Sequence, residues 1–296
     1  MKKILLLLLA GLSLTAAAQH VSVTSKTRLL EGVEGPAYRP VLSPDGSQLL
    51  FAAGENGGLK MLDFNSGVVT RVSDTPSAGT DAFWGGDGMV YYVGQERRPN
   101  NLVYRTGYAY NPATAQTEVV LEAQHGAVLP VHATRGAALK GSGKSFAKAI
   151  NRGTAVYTAG AELFITRNGV TRSYTPVPSH AGYLWASLSP DGTRVAFYAA
   201  ARGICVTDLD GNLLAEIGNY EMPCWYDNDY IIAQNATDDG HQFTSSQILI
   251  LKADGSFKTA LTTPTSMAMQ PTAAAGKIVY TTIDGLLYQI NISINP

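Results

Sequence analysis

One module recurs about six times along this chain and constrains the fold more than any other feature. It consists of a short strand, a tight polar turn and an apolar strand rich in β-branched and aromatic residues. Two copies are nearly identical: Pro40-Val41-Leu42-Ser43-Pro44-Asp45-Gly46 leads into 48–54, and Ala186-Ser187-Leu188-Ser189-Pro190-Asp191-Gly192 leads into 194–200. Such self-similarity is typical of an array of equivalent supersecondary units. The sequence therefore predicts one large repeat domain.

The register of the repeat is set by the residue three positions before each turn. These positions are Pro40, Ala82, Pro130, Ala186, Pro223 and Pro271. Their spacing averages about 46 residues, which fits one four-stranded blade of a β-propeller. The apolar run after each turn suits a strand covered on both faces, and the more polar last strand suits the rim. We therefore expect an all-β, six-bladed β-propeller.

The two ends of the repeat array indicate how the ring closes. The last unit stops soon after its third strand, 286–292, and residues 20–30 alternate like the missing outer strand. We expect the N-terminal strand to complete the last blade, which removes exposed sheet edges. The unit at 130–178 is irregular, with two candidate second strands, 137–140 and 154–159. We expect an insertion in that blade.

The Ser-Pro-Asp-Gly turns have a physical rationale. In Ser43-Pro44-Asp45-Gly46 and Ser189-Pro190-Asp191-Gly192, proline presets φ and aspartate can bond its own backbone. Glycine accepts the positive φ that closes the hairpin. A β-branched residue at Gly46 or Gly192 is expected to cost on the order of 1 kcal/mol or more.

The Pro-x-hydrophobic-Ser-Pro-Asp-Gly module with its following strand resembles the PD40 (WD40-like) repeat of the TolB-type six-bladed β-propellers. The resemblance covers 19–296, which we expect to be a single propeller domain without the α/β domain that precedes the propeller in TolB proteins. It implies a propeller that engages other proteins of the cell envelope. It also places Trp84 and Trp225, just before the turn, at the family's buried tryptophan position.

The first residues have the pattern of an export signal. Met1-Lys2-Lys3 is basic, residues 4–9 are apolar, and Ala16-Ala17-Ala18 provides small residues for cleavage. The apolar stretch is shorter than the ~20 residues of a spanning helix, and no cysteine lies nearby for lipid attachment. We expect residues 1–18 to be a cleaved signal peptide, no transmembrane segment to follow it, and the protein to be periplasmic or secreted.

Composition and motifs argue against several functions. A formal net charge of −1 gives no basic footprint for nucleic acid. The segment Gly143-Lys144-Ser145 resembles the end of a phosphate-binding loop, but Ala138 occupies the required first glycine position. No Gly-x-Ser-x-Gly motif with helical periodicity indicates a peptidase domain.

The residues leave three questions open: a funnel enzyme, a calcium site and the state of the two cysteines. His125, His132 and His180 lie near inner strands of blades three and four, so a metal-assisted carbohydrate lyase or hydrolase could use the central funnel. No cofactor is expected, although calcium could use the acidic and amide side chains of Asp227, Asn228, Asp229, Asp238 and Asp239. Cys205 and Cys224, predicted in different blades, could form a disulfide or remain buried thiols.

The repeat register also predicts a binding surface. Residues just before each register position are expected at one mouth of the channel, and several are of types enriched in interaction hot spots. The predicted binding residues are Tyr38, Arg39, Asp81, Tyr183, Trp185 and Gln270. We assign no catalytic residue or metal ligand. The sequence thus favours a non-catalytic module that binds an envelope protein or peptide, with the funnel enzyme and a glycan-recognition module as alternatives.

Overall fold

The computed structural model describes residues 20–31, 35–54, 57–133, 138–140, 153–178 and 181–295, with the backbone only at 129–133 and 138–140. The predicted signal peptide, the segment Gly143-Lys144-Ser145 and His180 lie outside the described residues. Within these ranges the chain is almost all β, with one short 3-10 helix, Pro264–Ser266. None of the described helical segments has the length and apolarity to span a membrane.

The described strands form six antiparallel sheets, four of which follow chain order. Strands of the first half are β1 (His20–Arg28), β2 (Ala37–Leu42), β3 (Gln48–Ala53), β4 (Gly58–Asp63), β5 (Val69–Ser73), β6 (Phe83–Trp84), β7 (Val90–Arg97), β8 (Val103–Asn111), β9 (Gln116–His125), β10 (Leu129–Ala133), β11 (Ala138–Lys140), β12 (Thr154–Ala159), β13 (Glu162–Arg167) and β14 (Val170–Tyr174). Strands of the second half are β15 (Tyr183–Leu188), β16 (Arg194–Ala199), β17 (Gly203–Asp208), β18 (Leu213–Gly218), β19 (Glu221–Trp225), β20 (Tyr230–Asp238), β21 (Phe243–Lys252), β22 (Lys258–Ala260), β23 (Ala268–Ala274), β24 (Lys277–Thr282) and β25 (Leu287–Asn295).

The six sheets are the blades of a propeller, which confirms the predicted fold. The first strands of neighbouring blades contact each other, as β2 does with β23 and β19 does with β15 and β23. These strands therefore surround the central channel, whereas fourth strands such as β14 and β18 are largely exposed at the rim. The second strands are largely buried, with Leu49, Leu50 and Phe51 all inaccessible or nearly so, as expected for strands covered on both faces.

Two tryptophans join neighbouring blades at equivalent positions. The Trp225 indole N–H donates to the Ser187 carbonyl at 3.2 Å, and the Trp84 indole N–H donates to the Val41 carbonyl at 3.3 Å. Trp225 is buried and Trp84 is half-buried. Each ring therefore packs at a blade interface while its polar atom remains hydrogen-bonded, as buried tryptophan requires.

The N-terminal strand closes the ring as predicted. β1 pairs with β25 from His20 opposite Asn295 to Arg28 opposite Tyr288, with one bulge. The last blade has the order β1-β25-β24-β23, so the chain supplies its outermost strand from the opposite end of the sequence. In addition, the Lys26 ammonium lies 4.4 Å from the centre of the Tyr288 ring, a cation–π contact across the closure.

The irregular blade contains strands at both places where the sequence has a candidate second strand, 137–140 and 154–159. β12 pairs with β13 and with the end of β10, so it is the regular second strand of this blade. β11 pairs with the start of β10 and forms a fifth strand of the sheet. Between β10 and β12, the described residues thus contain one additional strand, β11, where the sequence predicts an insertion.

Candidate functional site

Four blades carry the same β-bulge in their first strand, at one mouth of the channel. The register shifts between Tyr38 and Val41 in blade one, and the corresponding shift recurs in blades four, five and six. One residue in each bulge has left-handed backbone, with φ between 52° and 54°: Arg39, Trp185, Met222 and Gln270. Non-glycine residues adopt this region rarely and at a cost in free energy. The repeated bulge therefore presents four different side chains from one backbone position.

These bulges lie on the face of the disc opposite the Ser-Pro-Asp-Gly turns. Each turn follows the end of a first strand, and the bulge lies near the start of that strand. We call the surface formed by the bulges and their neighbours the mouth. In blade two, Asp81 occupies the corresponding position, immediately before the short strand β6 and its neighbour Ala82. In blade three this position is Leu129, whose side chain lies outside the described residues.

Glutamine side chains bridge the bulges of blades one, six and five. The Arg39 backbone N–H donates to Gln270 Oε1 at 2.8 Å, and the Gln270 N–H donates to Gln234 Oε1 at 2.9 Å. Gln234 is only 2% exposed, and its Nε2 lies 3.5 Å from Glu221 Oε2. A bulge leaves a backbone donor without its ladder partner. Here the side chain of the adjoining blade accepts that hydrogen bond, so the polar half of the mouth is preorganised.

Arg39 extends this polar half toward blade two. Its Nη1 donates to the Thr80 carbonyl at 2.9 Å and lies 4.0 Å from Asp81 Oδ1. Partial burial raises the pKa of Asp81, and the charges of Arg39 and Arg105 oppose that rise. Both side chains of the pair are about half exposed, so the ion pair itself adds little to stability and remains accessible to a ligand.

The opposite half of the mouth is apolar. Leu184 and Trp185 are 46% and 40% exposed, and Met222 of the next blade is half-buried. The Trp185 ring lies 5.4 Å from the Tyr198 ring at an angle of 46°. The Tyr198 hydroxyl donates to Asn219 Oδ1 at 3.3 Å, and burial raises the pKa of Tyr198. Trp185 therefore packs against Tyr198 while 40% of its surface faces solvent.

Two tyrosines of the predicted site lie in different environments. Tyr183 is 2% exposed; its hydroxyl accepts from the Val177 N–H at 3.2 Å, and its ring lies 4.8 Å from that of Phe197. It is a core residue, and we leave it out of the mouth. Tyr38 is half-buried, with its hydroxyl 3.5 Å from the Ile283 carbonyl. Its neighbour in sequence, Arg39, is the more accessible of the two.

The described histidines do not converge on the channel. His125 ends β9, the outermost strand of blade two, and its Nδ1 lies 3.1 Å from the Val103 carbonyl. His125 precedes β10, the first strand of blade three, as expected, but it belongs to the outermost strand of blade two. His132 contributes only its backbone to the described structure, and His180 lies outside it. Among the described residues, no group of three His, Cys, Asp or Glu side chains could hold a metal.

The five residues considered for calcium lie at opposite ends of one strand. Asp227, Asn228 and Asp229 precede β20, whereas Asp238 ends it and Asp239 follows it. A strand of this length separates the two groups by roughly 25 Å, so they cannot form a single site. Turn hydrogen bonds also use their oxygens, since Asp227 Oδ1 accepts the Asp229 and Tyr230 N–H groups.

The two cysteines lie in different blades, as predicted, and both are free thiols. Cys205 is in β17 and Cys224 is in β19. Burial raises the pKa of Cys205 to about 11 and that of Cys224 to about 12. Both are therefore protonated at neutral pH, which makes them poor nucleophiles and poor metal ligands.

Known proteins match this chain in structure but not in overall sequence. No protein-family model and no curated protein sequence matches this chain. A putative TolB from Agrobacterium tumefaciens is 14% identical with a TM-score of 0.54, covering 95% of this chain and 100% of that one. TolB from Acinetobacter baumannii is 15% identical with a TM-score of 0.51; the match covers 77% of this chain and 54% of that TolB. Virginiamycin B lyase from Staphylococcus aureus is 10% identical with a TM-score of 0.53, covering 92% and 99%.

These similarities define the class as a six-bladed β-propeller. Within that class, the chain has a TolB-like propeller fold, in agreement with the repeat motif. The chain spans about half the length of the Acinetobacter TolB. Because a lyase shares the fold at a similar score, the architecture alone does not select a function.

Proposed function

We propose that this chain is a non-catalytic propeller that binds a protein or peptide partner of the bacterial envelope through its mouth. The observation that carries the proposal is the pair Leu184 and Trp185, both large, apolar and at least 40% exposed. Their left-handed bulge holds them in place at a cost in backbone free energy. Exposed tryptophan beside aliphatic surface is the composition of an interaction hot spot.

The chemistry of the mouth favours a protein ligand over a glycan. Leu184 adjoins Trp185 in sequence, Met222 occupies the equivalent bulge position of the next blade, and the Tyr198 ring lies at 46° to the Trp185 ring. This uneven apolar surface suits a hydrophobic side chain, whereas a sugar face would stack on a flat, open aromatic ring. On the other half, Arg39 and Asp81 offer both signs of charge to a polar backbone or side chain. An apolar centre with a polar rim is typical of protein–protein interfaces.

An envelope location is part of the same proposal. It is supported by the signal-like sequence of residues 1–18 and by the TolB-like fold. No observation on the described residues favours a carbohydrate lyase or hydrolase, since His125 lies at the rim. The proposal is therefore a binding or assembly role.

Capture from the native envelope tests this function. Purified residues 19–296 would serve as bait after mild crosslinking, alongside a variant with Leu184→Ser and Trp185→Ala. Val68→Ser is the matched control, because Val68 is 56% exposed in the turn between β4 and β5, on the face opposite the mouth. We expect a stoichiometric envelope protein that the mouth variant loses and the control retains. Equal capture by all three proteins would contradict the proposal.

A further inference from the structure

Two long hairpins rise from the mouth face, on blades two and five. β7 and β8 have eight and nine residues, and β20 and β21 have nine and ten, whereas β3, β12, β16 and β24 have six each. Aligned on their pairing with the first strand, both hairpins extend about three residues beyond blade one, on the order of 10 Å. In a ring of six, blades two and five are diametrically opposite. The mouth therefore lies between two projecting tips.

The tip of blade two, residues 96–102, is basic. It carries Arg97 and Arg98, with Glu96 at 3.8 Å from Arg98 Nε as the single acidic residue. The Arg98 guanidinium lies 3.9 Å from the centre of the Tyr104 ring, and Arg97 Nη1 donates to a carbonyl of the tip at 3.2 Å. Leu102 is 40% exposed beside them. We call residues 96–102 the basic tip.

The tip of blade five, residues 238–243, is acidic. Asp238 and Asp239 are exposed, and no lysine or arginine occurs between residues 226 and 251. Backbone hydrogen bonds from Gln242 and His241 lower the pKa of Asp239, so its carboxylate is negatively charged at neutral pH. Phe243 is 39% exposed beside the carboxylates. We call residues 238–243 the acidic tip.

We propose that two copies of this chain associate mouth to mouth, with the basic tip of each copy against the acidic tip of the other. A two-fold axis in the plane of the interface, perpendicular to the line that joins the tips, brings both pairs together in one rotation. An interface of this kind must be self-complementary, because each contact occurs twice. The two tips meet that condition in charge, in height and in their exposed large apolar residues, Leu102 and Phe243.

The charge pattern also selects this arrangement among face-to-face alternatives. Any rotation that placed a tip against its own copy would oppose Asp238 and Asp239 with identical carboxylates, a costly juxtaposition. A monomeric partner could offer the same pattern only by coincidence, whereas a second copy offers it by construction. This association goes beyond the proposed function.

Sedimentation velocity on purified residues 19–296 tests the proposal. At about 100 µM protein, we expect dimers at low ionic strength and monomers at about 1 M salt, where the Debye length falls to about 3 Å. Reversal of the basic tip (Arg97→Glu with Arg98→Glu) and reversal of the acidic tip (Asp238→Lys with Asp239→Lys) should each raise the dimer Kd at least about tenfold. An equimolar mixture of the two variants should restore dimers.

The control changes the net charge by the same amount as the basic-tip reversal, but at another place on the surface. Arg167→Glu with Arg172→Glu alters blade three, where Arg167 pairs with Asp210 at 2.8 Å in an exposed position, and should leave the dimer unchanged. A wild-type chain that remains monomeric at low salt would overturn the proposal, as would dimers that both tip reversals leave intact. Loss of envelope capture on tip reversal in a strictly monomeric chain would assign the tips to the partner instead. Thermal midpoints of all variants separate these outcomes from unfolding.

Discussion

Blades one and four are nearly the same structure with different side chains at the mouth. In blade one, the Gly46 N–H donates to the Ser43 carbonyl at 2.8 Å, and the Gln48 N–H donates to Ser43 Oγ at 2.9 Å. In blade four, the corresponding bonds from Gly192 and Arg194 to Ser189 measure 2.8 and 3.0 Å.

The bulges of the two blades agree as closely, yet their side chains have opposite chemistry. The left-handed residues have φ of 52° and 54°. Arg39 is bound into the polar network by Gln270 and Thr80, whereas Trp185 contacts Tyr198 and faces solvent. The repeat thus determines the backbone, and the variable residue in the bulge determines the chemistry that each blade presents at the mouth. Experiments that treat the two blades as a matched pair can separate these roles.

Blades one and four should differ most in the stability lost when the first residue of the third strand is replaced by alanine. At Gly203 an added Cβ would lie 2.0 Å from the Gly218 carbonyl, and φ is 102°; at Gly58 the nearest atom, the Ser73 carbonyl, is 3.1 Å away. Gly203→Ala should lower the free energy of unfolding by about 2–4 kcal/mol, and Gly58→Ala by about 1 kcal/mol or less. Urea unfolding measures both. Equal losses would contradict this difference between the backbones of the two blades.

The next effect concerns the glutamine network, which supports the bulge of blade one. Gln234→Leu removes the acceptor of the Gln270 N–H at a site that is 2% exposed. An unsatisfied buried donor costs about 1–3 kcal/mol, so the urea midpoint should fall accordingly. Gln247→Leu, in the adjoining strand and half-buried, is the control and should change stability less. A Gln234→Leu variant as stable as wild type would show that water replaces the amide.

Substitution of the turn aspartate should lower the free energy of unfolding equally in blades one and four. Asp45→Ala and Asp191→Ala remove equivalent hydrogen bonds to Ser43 and Ser189, and each should cost about 1 kcal/mol. Urea unfolding of the two variants gives both losses. Values that differ by more than about twofold would show that the surrounding blades alter the turn.

The Asp45 turn also predicts a pH dependence. Hydrogen bonds from Ser43 and Ser47 hold the pKa of Asp45 at about 2, below its ordinary value of 3.8. A carboxyl with a lowered pKa stabilises the fold above the unfolded-state value and loses that contribution as the pH falls toward 2. The difference in stability between wild type and Asp45→Asn should therefore shrink between about pH 4 and pH 2. Unfolding titrations at several pH values measure it, and a constant difference would contradict the assignment.

The smallest effect on stability is expected at the mouth itself. Trp185→Ala removes a side chain that is 40% exposed and whose ring lies 5.4 Å from that of Tyr198, so the loss should be within about 1 kcal/mol. Val68→Ser serves as a control of similar exposure, and urea unfolding measures both. A loss above about 2 kcal/mol would identify Trp185 as a structural residue rather than a binding residue.

Much of this structure could be predicted from the sequence, because local rules determine it. Pro44, Asp45 and Gly46 specify a turn through their own conformational preferences, and residues 20–30 have the alternation of a strand. The bulges gave no such signal, since Arg39 and Trp185 adopt a left-handed backbone without glycine. Their conformation depends on contacts with other blades, which are remote in sequence.

The site was predictable only in part for the same reason. Tyr183 has a residue type common in interfaces, yet its alternation in β15 directs it into the core. Gln234 was missed although it is a polar residue that follows the apolar run Tyr230 to Ala233 in a buried strand. That polar interruption is a signal that can be read from sequence, whereas its acceptor role for Gln270 depends on the ring.

The central claim is that the mouth at blade four contacts a partner, and site-specific photo-crosslinking tests it most directly. A benzophenone amino acid would replace Trp185 in one variant and Val68 in another. Each variant would be expressed in the bacterium that naturally produces the protein, and the cells would be irradiated. We predict a discrete crosslinked envelope protein from position 185 and none from position 68. Crosslinks from neither position, or the same crosslinks from both, would contradict the account.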